Sequence, residues 1–87
     1  MREVLYSSKF LREYKKLPAH IKNIAERQET IFRNDPFDPR LKTHILHGKL
    51  DGLFSFSIGY QYRIIFEYSP NKKIIYFHSV GNHDVYQ

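Results

Sequence analysis

The sequence of 87 residues contains no cysteine, which excludes disulfide bonds, thiolate zinc sites and a cysteine nucleophile together. A chain without thiols also fits a reducing compartment. No run approaches the roughly 20 apolar residues that a membrane-spanning helix requires. The opening residues MREVLYSSKF lack the apolar stretch of a signal peptide. We therefore expect a cytoplasmic protein with no membrane partner.

Tryptophan is absent too, so the aromatic content of 16% consists of seven tyrosines and seven phenylalanines. Hydrophobic residues make up 41% of the chain, which supports a packed core. A chain of this length buries roughly 60–65% of its unfolded surface, which allows one modest core. We see no internal repeat or linker and predict a single domain over residues 1–87.

Acidic residues are in the minority, with nine against 14 lysines and arginines, so the formal net charge is +5. A small domain this basic often binds nucleic acid or an acidic protein. Solubility is the simpler explanation of the same charge, and composition does not decide between the two.

Helical periodicity follows a short predicted strand at residues 4–6. Ser7 or Ser8 can cap a first helix by accepting an N–H of its first turn, and Phe10 and Leu17 then fall on one side. The Asn-Asp-Pro run at 34–36 ends a second helix, so we predict a helical hairpin. The residues expected on the apolar stripe of the second helix are Ile21, Ile24, Ala25, Gln28, Ile31 and Phe32.

From about residue 43 the apolar pattern changes to a period of two, which is typical of strands. Alternation at 54–58, 62–68 and 74–80 predicts three strands, with turns at 59–61 and 69–71. Such short connections imply antiparallel neighbours. The predicted fold class is therefore α+β, with an N-terminal short strand and a helical hairpin packed on one face of a small twisted antiparallel sheet.

Four of the five histidines lie in the second half of the chain. His47, His83 and Asp84 have the side chains that zinc accepts as ligands. His44 and His47 are three residues apart, however, and on a strand they would point to opposite faces. Nearby lysines and arginines would also repel a metal ion, so we expect neither a metal nor another cofactor.

A phosphate group suits the same region better. His47 and Lys49 share one face if their strand continues through Gly48. Imidazoles can remove a proton from a ribose 2′-OH and protonate the departing 5′-oxygen. Lysine and arginine stabilise the charge that develops on phosphorus, and aromatic rings hold unstacked bases. The chain thus contains every group that metal-independent RNA cleavage needs.

Arg63 lies among apolar residues of a predicted strand, where an unpaired guanidinium is costly. It either forms an ion pair, with Glu67 or Asp84, or holds a phosphate through two parallel hydrogen bonds. His83 likewise either pairs with Asp84 or takes part in catalysis. The residue pattern leaves both alternatives open.

Three segments together resemble the RelE/ParE superfamily of bacterial toxins, and most of all its RelE/YafQ/YoeB-type mRNA interferases. They are SSKFLREYKKLP at 7–18, LKTHILHGKLDGLFSFSIGYQYRIIFEY at 41–68 and IIYFHSVGNHDVY at 74–86. The resemblance covers nearly the whole chain and implies a RelE-like fold. It also implies the toxin of a type II toxin–antitoxin system, a ribosome-dependent endoribonuclease that cuts mRNA without a metal.

The resemblance assigns roles residue by residue. Arg63 matches the strand arginine that contacts the scissile phosphate, and His83 matches the C-terminal histidine that acts as acid or base. His47 and Lys49 lie where members carry lysine, glutamate or histidine, and the base is either His47 or His44. The resemblance therefore implies catalytic roles for Arg63, His83, His47 and Lys49, and substrate-binding roles for Lys42, His44, Asp84 and Tyr86.

The expected partners follow from the resemblance too. They are mRNA in the ribosomal A site and a cognate antitoxin with an acidic, partly disordered segment that folds on binding. Two other functions stay open. The superfamily includes ParE-like inhibitors of DNA gyrase, which cut nothing, and the cations would also serve a non-catalytic nucleic-acid-binding module.

Overall fold

The computed structural model describes residues 3–48 and 51–82, which form two α-helices and a five-stranded sheet in the order β1-β5-β4-β3-β2. This arrangement confirms the predicted α+β class. No helix within the described ranges is long and apolar enough to cross a membrane. The elements are β1 (Glu3–Tyr6), α1 (Ser8–Lys15), α2 (Ala19–Asn34), a short 3₁₀ turn (Pro39–Leu41), β2 (His44–Ile45), β3 (Phe54–Ser57), β4 (Tyr62–Tyr68) and β5 (Ile74–Asn82).

Strands β2 to β5 form the predicted antiparallel meander. Strand β1 pairs in parallel with β5, with Val4 opposite Ile75 and Tyr6 opposite Phe77. The first and last strands of the chain are therefore neighbours. Local alternation assigns the faces of a strand but not its partner, so the residue pattern did not predict this pairing.

Ser7 explains why α1 begins where it does and how it is attached to the sheet. Its hydroxyl oxygen accepts a hydrogen bond from the Phe10 N–H at 2.9 Å, which caps the helix. The same hydroxyl donates to the His78 carbonyl oxygen at 2.7 Å. One side chain therefore fixes both the first turn of α1 and its position beside β5.

Helix α2 buries Ile21, Ala25 and Phe32 against the sheet, as its period predicts. Gln28 lies on the same stripe but has a polar role. Its amide nitrogen donates to the Ser57 carbonyl oxygen at 3.0 Å and to the Arg40 carbonyl oxygen at 3.2 Å. The amide thereby joins the helix to the end of β3 and to the 3₁₀ turn.

The core is built from aromatic rings between the helices and one face of the sheet. The Phe32 ring centroid lies 4.7 Å from that of Phe56, 4.8 Å from that of Phe66 and 5.3 Å from that of Phe77. All four side chains are fully buried. Each such aromatic pair contributes about 0.5–1.5 kcal/mol beyond the area it buries, so the three pairs that Phe32 forms attach α2 firmly to the sheet.

Candidate active site

The sheet has a second face that neither described helix covers. On β4, Ile64 and Phe66 belong to the core, so Arg63 and Ile65 point the other way. The pairing register extends this face across neighbouring strands. We call it the helix-free face and define it by His44, Ser55, Ser57, Arg63, Ile65 and Ser79.

Much of the helix-free face is buried although no described helix packs on it. Ser55 is 0% exposed, and Ile65 and Ser79 are each 1% exposed. These three residues form one row across β3, β4 and β5. A buried row of this kind holds its side chains rigidly, which suits the positioning of reactive groups.

Arg63 is the unusual residue of this face. Its Nη1 atom is buried and has no hydrogen-bond partner among the described residues. Arg63 forms no ion pair with Glu67 within residues 3–48 and 51–82, so that alternative is excluded. The alternative ion pair with Asp84 lies outside the described residues. A buried charged donor without a partner costs about 1–3 kcal/mol or more, and a ligand that supplies the acceptor would remove this cost.

The neighbours of Arg63 are small and neutral. Ser57 lies opposite it on β3 and Gly81 opposite it on β5. The Ser57 hydroxyl donates to the Gly59 carbonyl oxygen at 2.7 Å and is therefore already engaged. An anion that approaches the guanidinium meets neither a bulky side chain nor a carboxylate in this row.

His44 enters the helix-free face from β2. Its Nδ1 atom lies 3.3 Å from the Lys42 carbonyl oxygen, which can only accept, so Nδ1 carries the proton. In the neutral ring Nε2 then has a lone pair, and it lies 3.5 Å from the Ser55 hydroxyl. This is the arrangement that a general base requires, because the second nitrogen fixes the tautomer.

The register relates the two groups. His44 lies in the row of Ser55 and Ile65, and Arg63 lies two residues further along β4. Strands spaced about 4.8 Å apart and a rise of about 3.4 Å per residue place the Cα atoms of His44 and Arg63 about 12 Å apart. A guanidinium and an imidazole that extend toward each other across this gap can meet one ribose–phosphate group.

The structure corrects the expectation for His47. Strand β2 ends at Ile45 and Gly48 has φ +77°, so no strand continues through Gly48. His47 is exposed in the loop that follows β2. Lys42 is exposed as well and contributes its backbone carbonyl to His44.

Four predicted site residues lie outside the described ranges. They are Lys49, His83, Asp84 and Tyr86. Their assigned roles stay predictions.

His78 and Ser79 form a pair that sequence reasoning missed. The register moves from Ile65 opposite Ser79 to Phe66 opposite Phe77, so His78 is an extra residue in a β-bulge. Its Nδ1 atom lies 3.1 Å from the Ser79 hydroxyl. A bulge depends on the partner strand, so no local pattern in the sequence could have placed His78 there.

No cluster of three or more histidine, aspartate or glutamate side chains that could hold a metal ion occurs among residues 3–48 and 51–82. The groups that the structure brings together on the helix-free face are an arginine, a tautomer-fixed histidine and three serines. This set can bind a phosphate, stabilise added negative charge on it and accept a proton.

No protein-family profile and no curated protein sequence matches the chain. Solved structures match its fold: YafQ from E. coli has a TM-score of 0.73 at 20% identity, covering 94% of this chain and 93% of that one. The YoeB/ParE toxin from Agrobacterium tumefaciens has a TM-score of 0.77 at 15% identity, covering 93% and 98%. The toxin–antitoxin complex RelBE2 from Mycobacterium tuberculosis gives 0.74 at 21% identity, covering 93% and 96%. The chain therefore has the RelE/ParE toxin fold.

Proposed function

We propose that this protein is the toxin of a type II toxin–antitoxin system and that it cleaves mRNA on the ribosome. The observation that carries the proposal is the buried, unpartnered Nη1 of Arg63 on the same face as His44. The RelE-like fold and the resemblance of the sequence segments support it. A gyrase inhibitor or a plain nucleic-acid-binding module would need no histidine in a fixed tautomer.

The chemistry is an internal transfer at phosphorus. Nε2 of His44 takes the proton from a ribose 2′-OH, and the 2′-oxygen attacks the adjacent phosphorus. Nη1 of Arg63 stabilises the negative charge that develops on the phosphoryl oxygens. The bond from phosphorus to the 5′-oxygen breaks, and an acid protonates that oxygen. The products are a 2′,3′-cyclic phosphate and a free 5′-OH.

His44 is a better candidate for the base than His47. It lies on a strand that pairs with β3, and its tautomer is set by the Lys42 carbonyl. His47 has no such support and is exposed in the loop. An imidazole without a fixed orientation loses the advantage of positioning.

We assign the acid to His83, as the sequence resemblance implies. Strand β5 ends at Asn82, which pairs with Tyr62, the residue before Arg63. Lys49, Asp84 and Tyr86 keep the supporting roles predicted for them.

The partner of this toxin is a cognate antitoxin. RelBE2, which has the same fold, was solved as a toxin–antitoxin complex. The net charge of +5 favours an acidic segment that covers the helix-free face and pairs with the unpartnered arginine. Such a segment would block the site by occupying the place of the phosphate.

Primer extension on mRNA in a translating extract tests the proposal. We expect new 5′ ends with the wild-type protein and a loss of rate by about a hundredfold or more with His44→Gln or Arg63→Ala. His47→Gln is the matched control, because it removes an exposed histidine three residues away, and it should retain activity within about threefold.

Two results would contradict the proposal. Intact mRNA beside a folded wild-type protein would exclude cleavage, and inhibition of DNA supercoiling under the same conditions would then favour the gyrase alternative. A variant His47→Gln that is inactive while His44→Gln is active would reject the assignment of the base.

A further inference from the structure

A groove lies at the end of β4 that is remote from Arg63. Phe37, Phe54, Tyr68 and Lys72 line it, and its volume is about 480 Å³. We call it the aromatic groove. Phe54 and Tyr68 pack against the core side of the sheet, so this groove and the helix-free face are distinct.

The three rings of the aromatic groove meet edge to face. The Phe54 and Tyr68 centroids are 5.5 Å apart at an interplanar angle of 86°, and those of Phe37 and Phe54 are 6.0 Å apart at 84°. Phe37 remains 54% exposed. Phe54 stacks on Phe66 at an interplanar angle of 19°, so the exposed ring of Phe37 is the surface on which a planar aromatic ligand can stack.

Lys72 holds an unusual backbone conformation at the rim of the groove. Its φ is +62°, a region that L-residues other than Asn and Asp seldom adopt. The turn fixes this conformation, because the Lys72 N–H donates to the Ser69 carbonyl at 2.9 Å and the Asn71 carboxamide accepts from the Lys73 N–H at 3.0 Å. A lysine kept where glycine would be unstrained indicates a use for its charge.

The aromatic groove differs from the groove between α1 and α2 in the charged residues that line it. The groove between α1 and α2 is lined by Tyr14, Glu26 and Glu29, among others. Burial, and then the charges of Glu26 and Glu29, raise the pKa of Tyr14, and both charged residues of this described lining are acidic. The described lining of the aromatic groove contains Lys72 and no carboxylate, so the two linings differ in the sign of their charged residues.

We infer that the aromatic groove binds an unstacked base of single-stranded RNA, with Lys72 beside the backbone phosphate of that nucleotide. The inference rests on the proposed function, because it makes this RNA a flanking part of the substrate strand. Arg63 and Tyr68 are five residues apart on β4, which is about 17 Å. The base in the groove is therefore several nucleotides away from the cleaved bond.

The test measures the affinity of the full-length protein for a single-stranded RNA of about ten nucleotides. Uniform 2′-O-methyl substitution prevents cleavage, and fluorescence anisotropy reports the Kd. Phe37→Ala should weaken binding by about 5- to 100-fold, the range of one lost base stack. Tyr60, which is 100% exposed, provides the matched control, and Tyr60→Ala should leave the Kd unchanged.

Lys72→Gly supplies an independent measurement, since glycine adopts the positive φ without strain. The slope of log K against log salt concentration should become shallower by about 0.7, the loss of one phosphate contact with a single strand. An unchanged slope would overturn the inference. So would a Phe37→Ala variant that binds RNA normally, including one that has lost affinity for a protein partner instead.

Arg63→Ala separates this inference from the proposed function. If only the assignment of the aromatic groove is wrong, RNA binding will depend on Arg63 and not on Phe37. If only the proposed active site is wrong, RNA binding will depend on Phe37 and not on Arg63.

Discussion

The two faces of the sheet differ in what their buried residues do. On the helix-covered face, Phe32, Phe56 and Phe66 contact one another and leave no polar group unsatisfied among them. On the helix-free face, a buried guanidinium nitrogen of Arg63 lacks a partner among the described residues. Alternate residues of the same strand thus serve stability on one side and chemistry on the other.

The largest expected effect comes from the helix-covered face. Phe32→Ala removes the ring that three others contact, and it should lower the free energy of unfolding by about 3–5 kcal/mol. Domains of this kind have about 5–15 kcal/mol in total, so the variant will be close to unfolding. Urea denaturation followed by circular dichroism measures this. Phe37→Ala, at an exposed position, is the control. An equal loss of unfolding free energy in this variant would contradict the expected difference between the core and the surface.

A smaller effect is expected where α1 covers the edge of β5. Strand β1 ends at Tyr6, and beyond it the Val80 N–H donates to the Glu13 carboxylate at 3.1 Å. Glu13→Ala leaves that N–H without its acceptor and should destabilise the protein by about 1–2 kcal/mol. Glu13→Gln retains an acceptor oxygen and should lose much less. Equal urea midpoints for the two variants would show that the bond contributes little.

Arg63 should behave in the opposite way to Phe32. Arg63→Met removes a guanidinium whose buried Nη1 atom has no partner among residues 3–48 and 51–82. The apolar side chain of similar length should raise the free energy of unfolding by about 1 kcal/mol. The same change should abolish cleavage of mRNA. A variant that is both less stable and inactive would mean that the guanidinium stabilises the fold. Buried residues of both faces would then contribute to stability.

The smallest effect lies in the 3₁₀ turn that precedes β2 and His44. The Arg40 side chain, and then its backbone N–H, lower the pKa of Asp38 to about 2 by hydrogen bonding. Since the pKa is lower in the folded state than the ordinary value of about 3.9, this stabilisation is present above pH 4 and is lost as the pH falls through about 2. Carboxyl chemical shifts across a pH titration should show the low midpoint, and Arg40→Ala should raise it toward 4.

Local patterns predicted most of the fold. The helical period placed Phe10 and Leu17 in the core, where they are 3% and 8% exposed, and the alternation at 62–68 matches β4. The parallel pairing of β1 with β5 could not be predicted, because it joins segments about 70 residues apart. Gln28 followed the apolar period correctly, but the carbonyls it binds belong to distant elements.

The candidate site was predicted less completely than the fold. Arg63 could be selected because a guanidinium among apolar strand residues needs an explanation, and its Nη1 atom is buried without a hydrogen-bond partner among the described residues. His47 and Lys49 would share a strand face only if the strand continued through Gly48, and this condition is not met, because β2 ends at Ile45 and Gly48 has a positive φ. Composition and spacing cannot show where a strand of two residues ends. They also cannot show the contact between His44 and the Lys42 carbonyl oxygen, which makes His44 a candidate and which forms only in the folded chain.

The bulge at His78 has a consequence for changes in chain length. A deletion within a strand normally exchanges its two faces. Here the residues on either side of His78, Phe77 and Ser79, already oppose consecutive residues of β4. A chain shortened by this one residue would keep every side-chain pairing between β4 and β5. The deletion would instead remove the His78 carbonyl that accepts the hydrogen bond from Ser7. We therefore expect it to weaken the attachment of α1 to β5 and to leave the pairing of the sheet intact.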